Sequence, residues 1–252
     1  MAENLRSKTA LVTGASRRIG RELCLALAEE GINLVVHHRS MGDEAKKLGA
    51  ELAEHGVKTW LVQADFEEPQ ECQSLIERVI AEAGSLDILI NSASIFPAGT
   101  LNEMTLDDLN RTIQVNAWVP FLLSRDFARL AGRGKIINLL DTRIEGYDWK
   151  HAAYILSKQA LALLTRMTAV EFAPTVTVNA VAPGLILPPP SKDQDYLNEL
   201  AKTVPLRHHG SPRDIADAAI YLLKSDFVTG QVIYVDGGRH LMEDGNGPHP
   251  HL

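Results

Sequence analysis

The sequence predicts an α/β protein of one domain, a doubly wound parallel sheet of seven strands with helices on both faces. Three observations carry this prediction. Short apolar runs alternate with segments of helical spacing from the first strand onward. Several runs are continuously apolar, as strands buried on both faces are. No composition break and no internal repeat divides the 252 residues, so residues 1–252 read as one unit.

The elements follow in order. Thr9–Thr13 is a strand ended by Gly14. From Ile19 to Glu30, Leu23, Leu27 and Ala28 share a helical face, and Gly31 stops the helix. Ile32–His37 is a strand, Asp43–His55 a helix and Val57–Val62 a strand. Pro69 to Gly84 is helical, with proline at a permitted first-turn position. Leu86–Ile90 is a strand, and Thr105 to Arg129 one long amphipathic helix. Lys135–Leu140 is a strand, and His151–Phe172 a helix stopped by Pro174. Val176–Val181, Pro212–Leu223 and Gln231–Val235 complete the series as strand, helix and strand. The βαβ order makes the sheet parallel.

Two stretches break the alternation. Residues 182–211 carry Pro183, Gly184, Pro188, Pro189, Pro190, Pro205 and Gly210, with a short helix expected at Asp193–Lys202. A loop this long in a compact domain is usually functional, and this one is expected to cover a substrate. The tail, residues 245–252, is rich in glycine and proline and is expected to be disordered or to dock on a neighbouring subunit.

Composition excludes several classes. With 45% apolar and 23% charged residues, the chain is not disordered. A net charge of −7 argues against nucleic acid as a partner. Two cysteines, Cys24 and Cys72, make no disulfide framework and fit a reducing compartment; Cys24 reads as a core residue. No apolar run reaches the ~18 residues of a membrane helix. Met1 to Lys8 is polar, unlike a secretory signal, so the expected location is cytoplasmic. His208, His209, His240, His249 and His251 show no ligand spacing, so no metal is expected.

Three places carry chemistry. The first is Thr13-Gly14-Ala15-Ser16-Arg17-Arg18-Ile19-Gly20, between the first strand and first helix. Gly14 permits a sharp turn and Gly20 close packing, while the helix N-terminus offers N–H groups to a pyrophosphate. Arg17 and Arg18 add positive charge there. This is the Rossmann-type arrangement. The second is the end of the second strand, His37-His38-Arg39-Ser40, which lacks the acidic residue that holds an NAD ribose. A guanidinium and a hydroxyl suit a 2′-phosphate, which favours NADP(H). The third is Tyr154 with Lys158, four residues apart on one helix face. An ammonium near a phenol is expected to lower its pKa and make Tyr154 a usable proton donor. Asp141 closes the fifth strand at the carboxyl edge, where ligands bind, and Asn116 lies in the long central helix.

Over residues 5–242 the chain resembles the short-chain dehydrogenase/reductases. The resemblance rests on Thr13-Gly14 with Gly20, Asp65, Asn91-Ser92-Ala93-Ser94, Asn116, Tyr154-x-x-x-Lys158, Pro183-Gly184 and Val235-Asp236-Gly237-Gly238. Arg18 stands where a glycine is usual, Ser92 and Ser94 replace Asn and Gly, and Asp141 replaces the usual serine. These departures resemble the pteridine reductase and dihydromonapterin reductase branch, as does the ending from Phe227 to Leu241.

The resemblance implies the following roles. Gly14, Arg17, Arg18, Ile19, Gly20, His38, Arg39, Ser40, Asp65, Asn91, Ala93, Ser94, Lys158, Pro183 and Gly184 would contact NADPH. Asp141, Tyr154, Lys158 and Asn116 would form the catalytic set. Ser94, Phe96, Asp141, Tyr154 and Leu185 would meet the substrate, with Phe96 stacking on a pterin. The implied reaction is NADPH-dependent reduction of a C=N bond in a dihydropterin or dihydrofolate, in a homotetramer whose long helices near Asn116 and Tyr154 form one interface.

Plainer readings stand beside these. Asn91 and Asn116 also suit buried structural amides, Asp65 a helix cap and Phe96 a core position. Tyr147 and Trp149 suit either the substrate site or surface packing. A carbonyl or 3-oxoacyl reductase and a non-catalytic NADP(H) sensor are the competing functions; Asp141 argues against the first, and intact Tyr154 and Lys158 against the second.

Overall fold

The computed structural model describes residues 4–40, 42–146, 148–189 and 192–242. The tail at 245–252, Tyr147 and Pro190 lie outside the described residues.

Seven strands form one parallel sheet: β1 (Thr9–Val12), β2 (Asn33–His38), β3 (Thr59–Gln63), β4 (Ile88–Asn91), β5 (Gly134–Leu139), β6 (Val176–Pro183) and β7 (Val232–Val235). Their order is β3-β2-β1-β4-β5-β6-β7, so the chain winds outward from β1 and then reverses. Registers such as Leu11 opposite Val35 and Leu89 fix β1 between β2 and β4.

Strand residues alternate between two cores, as a pleated strand requires. Ala10, Val12, Leu34, Val36, Ile88 and Ile90 pack against α1 (Arg18–Glu29), α2 (Asp43–Glu54) and α9 (Pro212–Lys224). Leu11, Val35 and Leu89 face the other layer: α3 (Pro69–Gln73), α4 (Leu75–Ala83), α6 (Val119–Leu130) and α7 (Ala152–Glu171). Burial on both faces explains the continuous apolar runs. Cys24 is fully buried in the first core, and both cysteines are free.

Two predicted helices are divided. The segment from Pro69 to Gly84 breaks at Ser74 into α3 and α4. The long central helix is α5 (Leu106–Ile113), a π-helical turn at Gln114–Trp118, and α6. Pro120 has no N–H for the Asn116 carbonyl, and its ring crowds that carbonyl, so the widened turn falls where the ordinary ladder fails. Thr105 and Asp108 form a reciprocal capping box at the start of α5.

Residues 182–211 contain α8 (Gln194–Ala201), capped by Asp193. Leu185, Leu197 and Val204 form a small cluster that anchors it. Among the described residues, no helix is long and apolar enough to cross a membrane.

Buried amides tie β4, β5 and α7 together. Asn91 Nδ2 donates to Asn138 Oδ1 at 2.8 Å, and Asn138 Nδ2 donates to Thr165 Oγ1 at 2.9 Å. The ends of β6 and β7 meet more closely still. A Cβ on Gly184 would fall 2.5 Å from Asp236 Cβ and 2.6 Å from Asp236 Cα. Gly184→Ala should therefore lower unfolding free energy by about 1–3 kcal/mol, read as a lower urea midpoint at unchanged m-value.

Candidate active site

The carboxyl ends of the strands open into a cleft of about 600 Å³. Its walls are the turn after β1, the segments after β3, β4 and β5, and the 182–211 loop.

The turn after β1 is held by its neighbours. Gly14 has φ +63°, and a Cβ there would fall 2.8 Å from Ala93 Cα. Thr13 Oγ1 accepts from the backbone N–H groups of Ser92 and Ala93, each at 3.0 Å. Gly14 N–H donates to His37 Nδ1 at 3.0 Å, which leaves His37 Nε2 to donate to the Ala64 carbonyl at 3.0 Å. Burial pushes His37 down to about 4, so the ring is neutral and its tautomer is set by these two bonds. Arg18 opens α1 at φ +54°, and its guanidinium donates to the Pro188 carbonyl at 2.9 Å. The turn thus reaches the 182–211 loop. Arg17, at the cleft edge, pairs with Glu44 at 2.8 Å.

The end of β2 differs from the expectation. His37, not His38, lines the cleft. Side chains alternate along a strand, so the two histidines cannot both face it. His38 is buried with Nδ1 against the Ser40 carbonyl, and Ser40 stands outside the cleft. Arg39 does line it, held by Asp65 at 3.0 Å and Glu67 at 3.1 Å.

Beyond β5, Tyr154 Oη donates to Asp141 Oδ2 at 2.9 Å. Arg143 N–H donates to Asp141 Oδ1 at 2.9 Å and fixes the carboxylate's plane. Lys158 Nζ donates to the Leu139 carbonyl at 2.8 Å and lies 5.7 Å from the Tyr154 ring centre. Burial pushes Lys158 down to about 8. The expected lowering of Tyr154 is reversed. Burial, and then the Asp141 carboxylate, push its phenol well above the ordinary value. The hydroxyl is buried and the charge beside it is negative, so Tyr154 keeps its proton.

Asn116 is fully buried in the π-helical turn and does not reach the cleft. Its amide accepts from Ile95 N–H at 2.8 Å and donates to the Ile95 carbonyl at 2.9 Å and Ser157 Oγ at 3.0 Å. It pins the segment carrying Ser94 and Phe96 to α7, which is a positioning role. Asn91 is likewise buried away from the cleft, on Asn138. Ile19, Gly20, Ala93, Ser94, Pro183, Gly184 and Leu185 all line the cleft. Phe96 lines it too, 45% exposed, with its ring edge-on to Tyr154 at 4.6 Å.

Sequence reasoning missed His37, Arg143, Tyr196, Leu197 and Arg239 at the cleft. Arg143 had a signal in its place two residues after Asp141. Arg239 had one in the closing motif: Asp236 accepts from Thr142 Oγ1 and from Gly238 N–H, which brings the end of β7 to the loop after β5. Trp149 does not line the cleft. Among the described residues, no group of three or more His, Cys, Asp or Glu is placed to hold a metal ion.

Comparison with known proteins gives a consistent picture. A family model described as enoyl-(acyl carrier protein) reductase matches residues 14–240. The 3-oxoacyl-[acyl-carrier-protein] reductase FabG of Staphylococcus epidermidis is 34% identical over 245 residues, covering 93% of this chain and 100% of that protein. FolM alternative dihydrofolate reductase 1 from Brucella canis, crystallised with NADP, superposes with a TM-score of 0.88 at 28% identity, covering 99% of each chain. A short-chain dehydrogenase/reductase from Serratia marcescens superposes at 0.87 with 30% identity, over 94% of this chain and 99% of that one. Sequence and fold agree along nearly the whole length, and the chain belongs to the short-chain dehydrogenase/reductase family.

Proposed function

We propose that the chain is an NADPH-dependent reductase of the C=N bond of a dihydropterin, such as dihydromonapterin or dihydrobiopterin, or of dihydrofolate, giving the tetrahydro form. The observation that carries this reading is the Asp141–Tyr154 pair at the end of β5. A serine suits an oxyanion growing on a ketone. A carboxyl group bonded to a phenol suits delivery of a proton to a ring nitrogen. The likeness to FolM supports the same substrate class.

The residues present fit a dinucleotide. Gly14 packs too close to Ala93 to carry a Cβ, and the tight turn it makes leads into the start of α1 at the cleft, where the first N–H groups of the helix would meet a pyrophosphate. Arg18 and Arg39 bring positive charge to the same cleft, and Asp65, which also lines it, would hold the adenine amino group. NADP or NADPH is bound in related structures, including FolM and a blue fluorescent protein from a metagenomic library. When bound, NADPH supplies the hydride. Lys158 would hold the nicotinamide ribose, Tyr154 and Asp141 would hold and pass the proton, and Phe96 would carry the substrate's flat face. Leu185 and α8 would exclude water.

A second reading, reduction of a 3-oxoacyl thioester, is favoured by the FabG relatives. Tyr154 alone could protonate a carbonyl oxygen, so the substrate decides between the two. A homotetramer is also proposed. Leu156, Leu163, Met167 and Val170 form an exposed apolar stripe along α7, and Trp118 is exposed nearby on the π-helical turn. Such a stripe calls for cover.

Purified protein assayed in parallel with NADPH should turn over a dihydropterin or dihydrofolate. Turnover of the 3-oxoacyl thioester alone would sink the pterin reading. Tyr154→Phe and Asp141→Ala should each lower kcat by about 10²–10⁴ while NADPH still binds.

Arg39→Ala should raise the KM for NADPH by about tenfold or more and leave kcat nearly unchanged. Steady-state kinetics with NADPH and NADH would check this, since NADH lacks the 2′-phosphate.

Burial moves Lys158 from 10.5 to about 8. Its ammonium is present below that value and lost above it. The pH profile of kcat/KM should therefore fall on its alkaline side near 8. A profile flat to pH ~10 would count against a charged Lys158 in the working enzyme.

A further inference from the structure

His151 precedes α7 by one residue and Tyr154 by three. Its ring stacks on Phe96 with centres 3.9 Å apart and planes 16° apart. Its Nδ1 lies 2.9 Å from Asp148 Oδ2, and Arg143 Nη1 lies 2.8 Å from the same oxygen. Burial alone would raise the Asp148 carboxyl; the His151 hydrogen bond and the Arg143 charge outweigh it and hold it down to about 2. Asp148 is therefore a fixed anion at neutral pH.

The backbone makes the same connection. Gly99 N–H donates to the Lys150 carbonyl at 2.7 Å, and Ala152 N–H donates to the Gly99 carbonyl at 3.0 Å. The segment carrying Phe96 is thus zipped to the start of α7. Phe96 has one face on His151 and an edge on Tyr154, yet it remains 45% exposed. The Arg143 guanidinium carbon lies over the same ring, 5.6 Å from its centre, and Phe96 lines the cleft.

We propose that Asp148 and His151 are positioning residues that hold Phe96 as a rigid platform, and so make the site selective for a flat heterocyclic substrate over a flexible acyl chain. This rests on the pterin reading. A ring free to turn about χ1 and χ2 would lose part of its stacking contact and would admit chains of other shapes. A ring stacked on His151, which is tied to Asp148, keeps one plane beside the Tyr154 hydroxyl. Neither Asp148 nor His151 is placed to take part in proton transfer to the substrate.

The test uses the full-length protein and two measurements. The first is steady-state kinetics with dihydrobiopterin. The second is equilibrium binding of biopterin to the NADP⁺ complex, which needs no turnover. His151→Ala should raise KM and the biopterin Kd by about 3- to 10-fold, with kcat within about twofold. His151→Phe keeps a ring on Phe96 and should recover most of that loss. Asp148→Asn, which weakens the hold on His151, should fall between them. NADPH affinity should be unchanged in all three. Unchanged KM and Kd in His151→Ala, or equal damage in His151→Phe, would overturn the platform. Wild-type protein that turns over no dihydropterin would sink the pterin reading, while the Kd series would still judge the platform. Absence of biopterin binding in wild type would overturn both.

Discussion

The site depends on a close approach between two backbones. Gly14 comes so near Ala93 that a single added carbon would fall 2.8 Å from its Cα. That approach lies at the point where the sheet order reverses, between β1 and β4. Crossovers leave β1 toward one edge and β4 toward the other, so no helix covers the gap above their carboxyl ends. The turn after β1 must be tight to leave the gap open, and at φ +63° with Ala93 this close it has room for glycine but not for a Cβ. Thr13 then ties both walls together through the N–H groups of Ser92 and Ala93. The segment that ends in Phe96 starts from this anchor.

Electrostatics within the gap follow from the burial of its side chains. Lys158 and Tyr154 are both buried, and burial moves them in opposite directions. The lysine is eased toward neutrality, and the phenol is held protonated. Asp141 acts upward on both, so it adds to the Tyr154 shift and opposes the Lys158 shift. A serine at that position would leave the phenol less strongly tied to its proton. The resting site therefore stores a proton on Tyr154, pointed at a carboxylate, rather than a phenolate stabilised by lysine.

The fold was legible in the sequence because most of its strands are buried on both faces. Runs such as Leu34-Val35-Val36 and Ile88-Leu89-Ile90 have no polar interruption. The site was legible where one residue type does one job, as with Gly14, Asp141, Tyr154 and Lys158. It was not legible where the outcome depends on a partner distant in sequence. The choice of His37 over His38 follows from the pleat at the end of β2 and from the Ala64 carbonyl. The break at Ser74 and the π-helical turn at Asn116 leave the helical periodicity almost intact, so hydrophobic spacing does not reveal them. The direction of the Tyr154 shift required knowing that its hydroxyl is buried and bonded to Asp141.

One helix start then joins two functions. His151 and Tyr154 are three residues apart at the beginning of α7, so they lie on one helical face, one turn apart. Phe96 touches both, flat against the first and edge-on to the second. The distance from a substrate's plane to the proton donor is therefore set inside one short rigid unit, not by a mobile loop. Asn116 fastens the other end of that unit, because its amide grips Ile95 and Ser157 together. Its burial is thus consistent with a strong effect on catalysis exerted without touching the substrate. Under the proposed function, a geometry fixed to one plane would favour a rigid heterocycle, whose C=N bond could not rotate away from the ring face that is held.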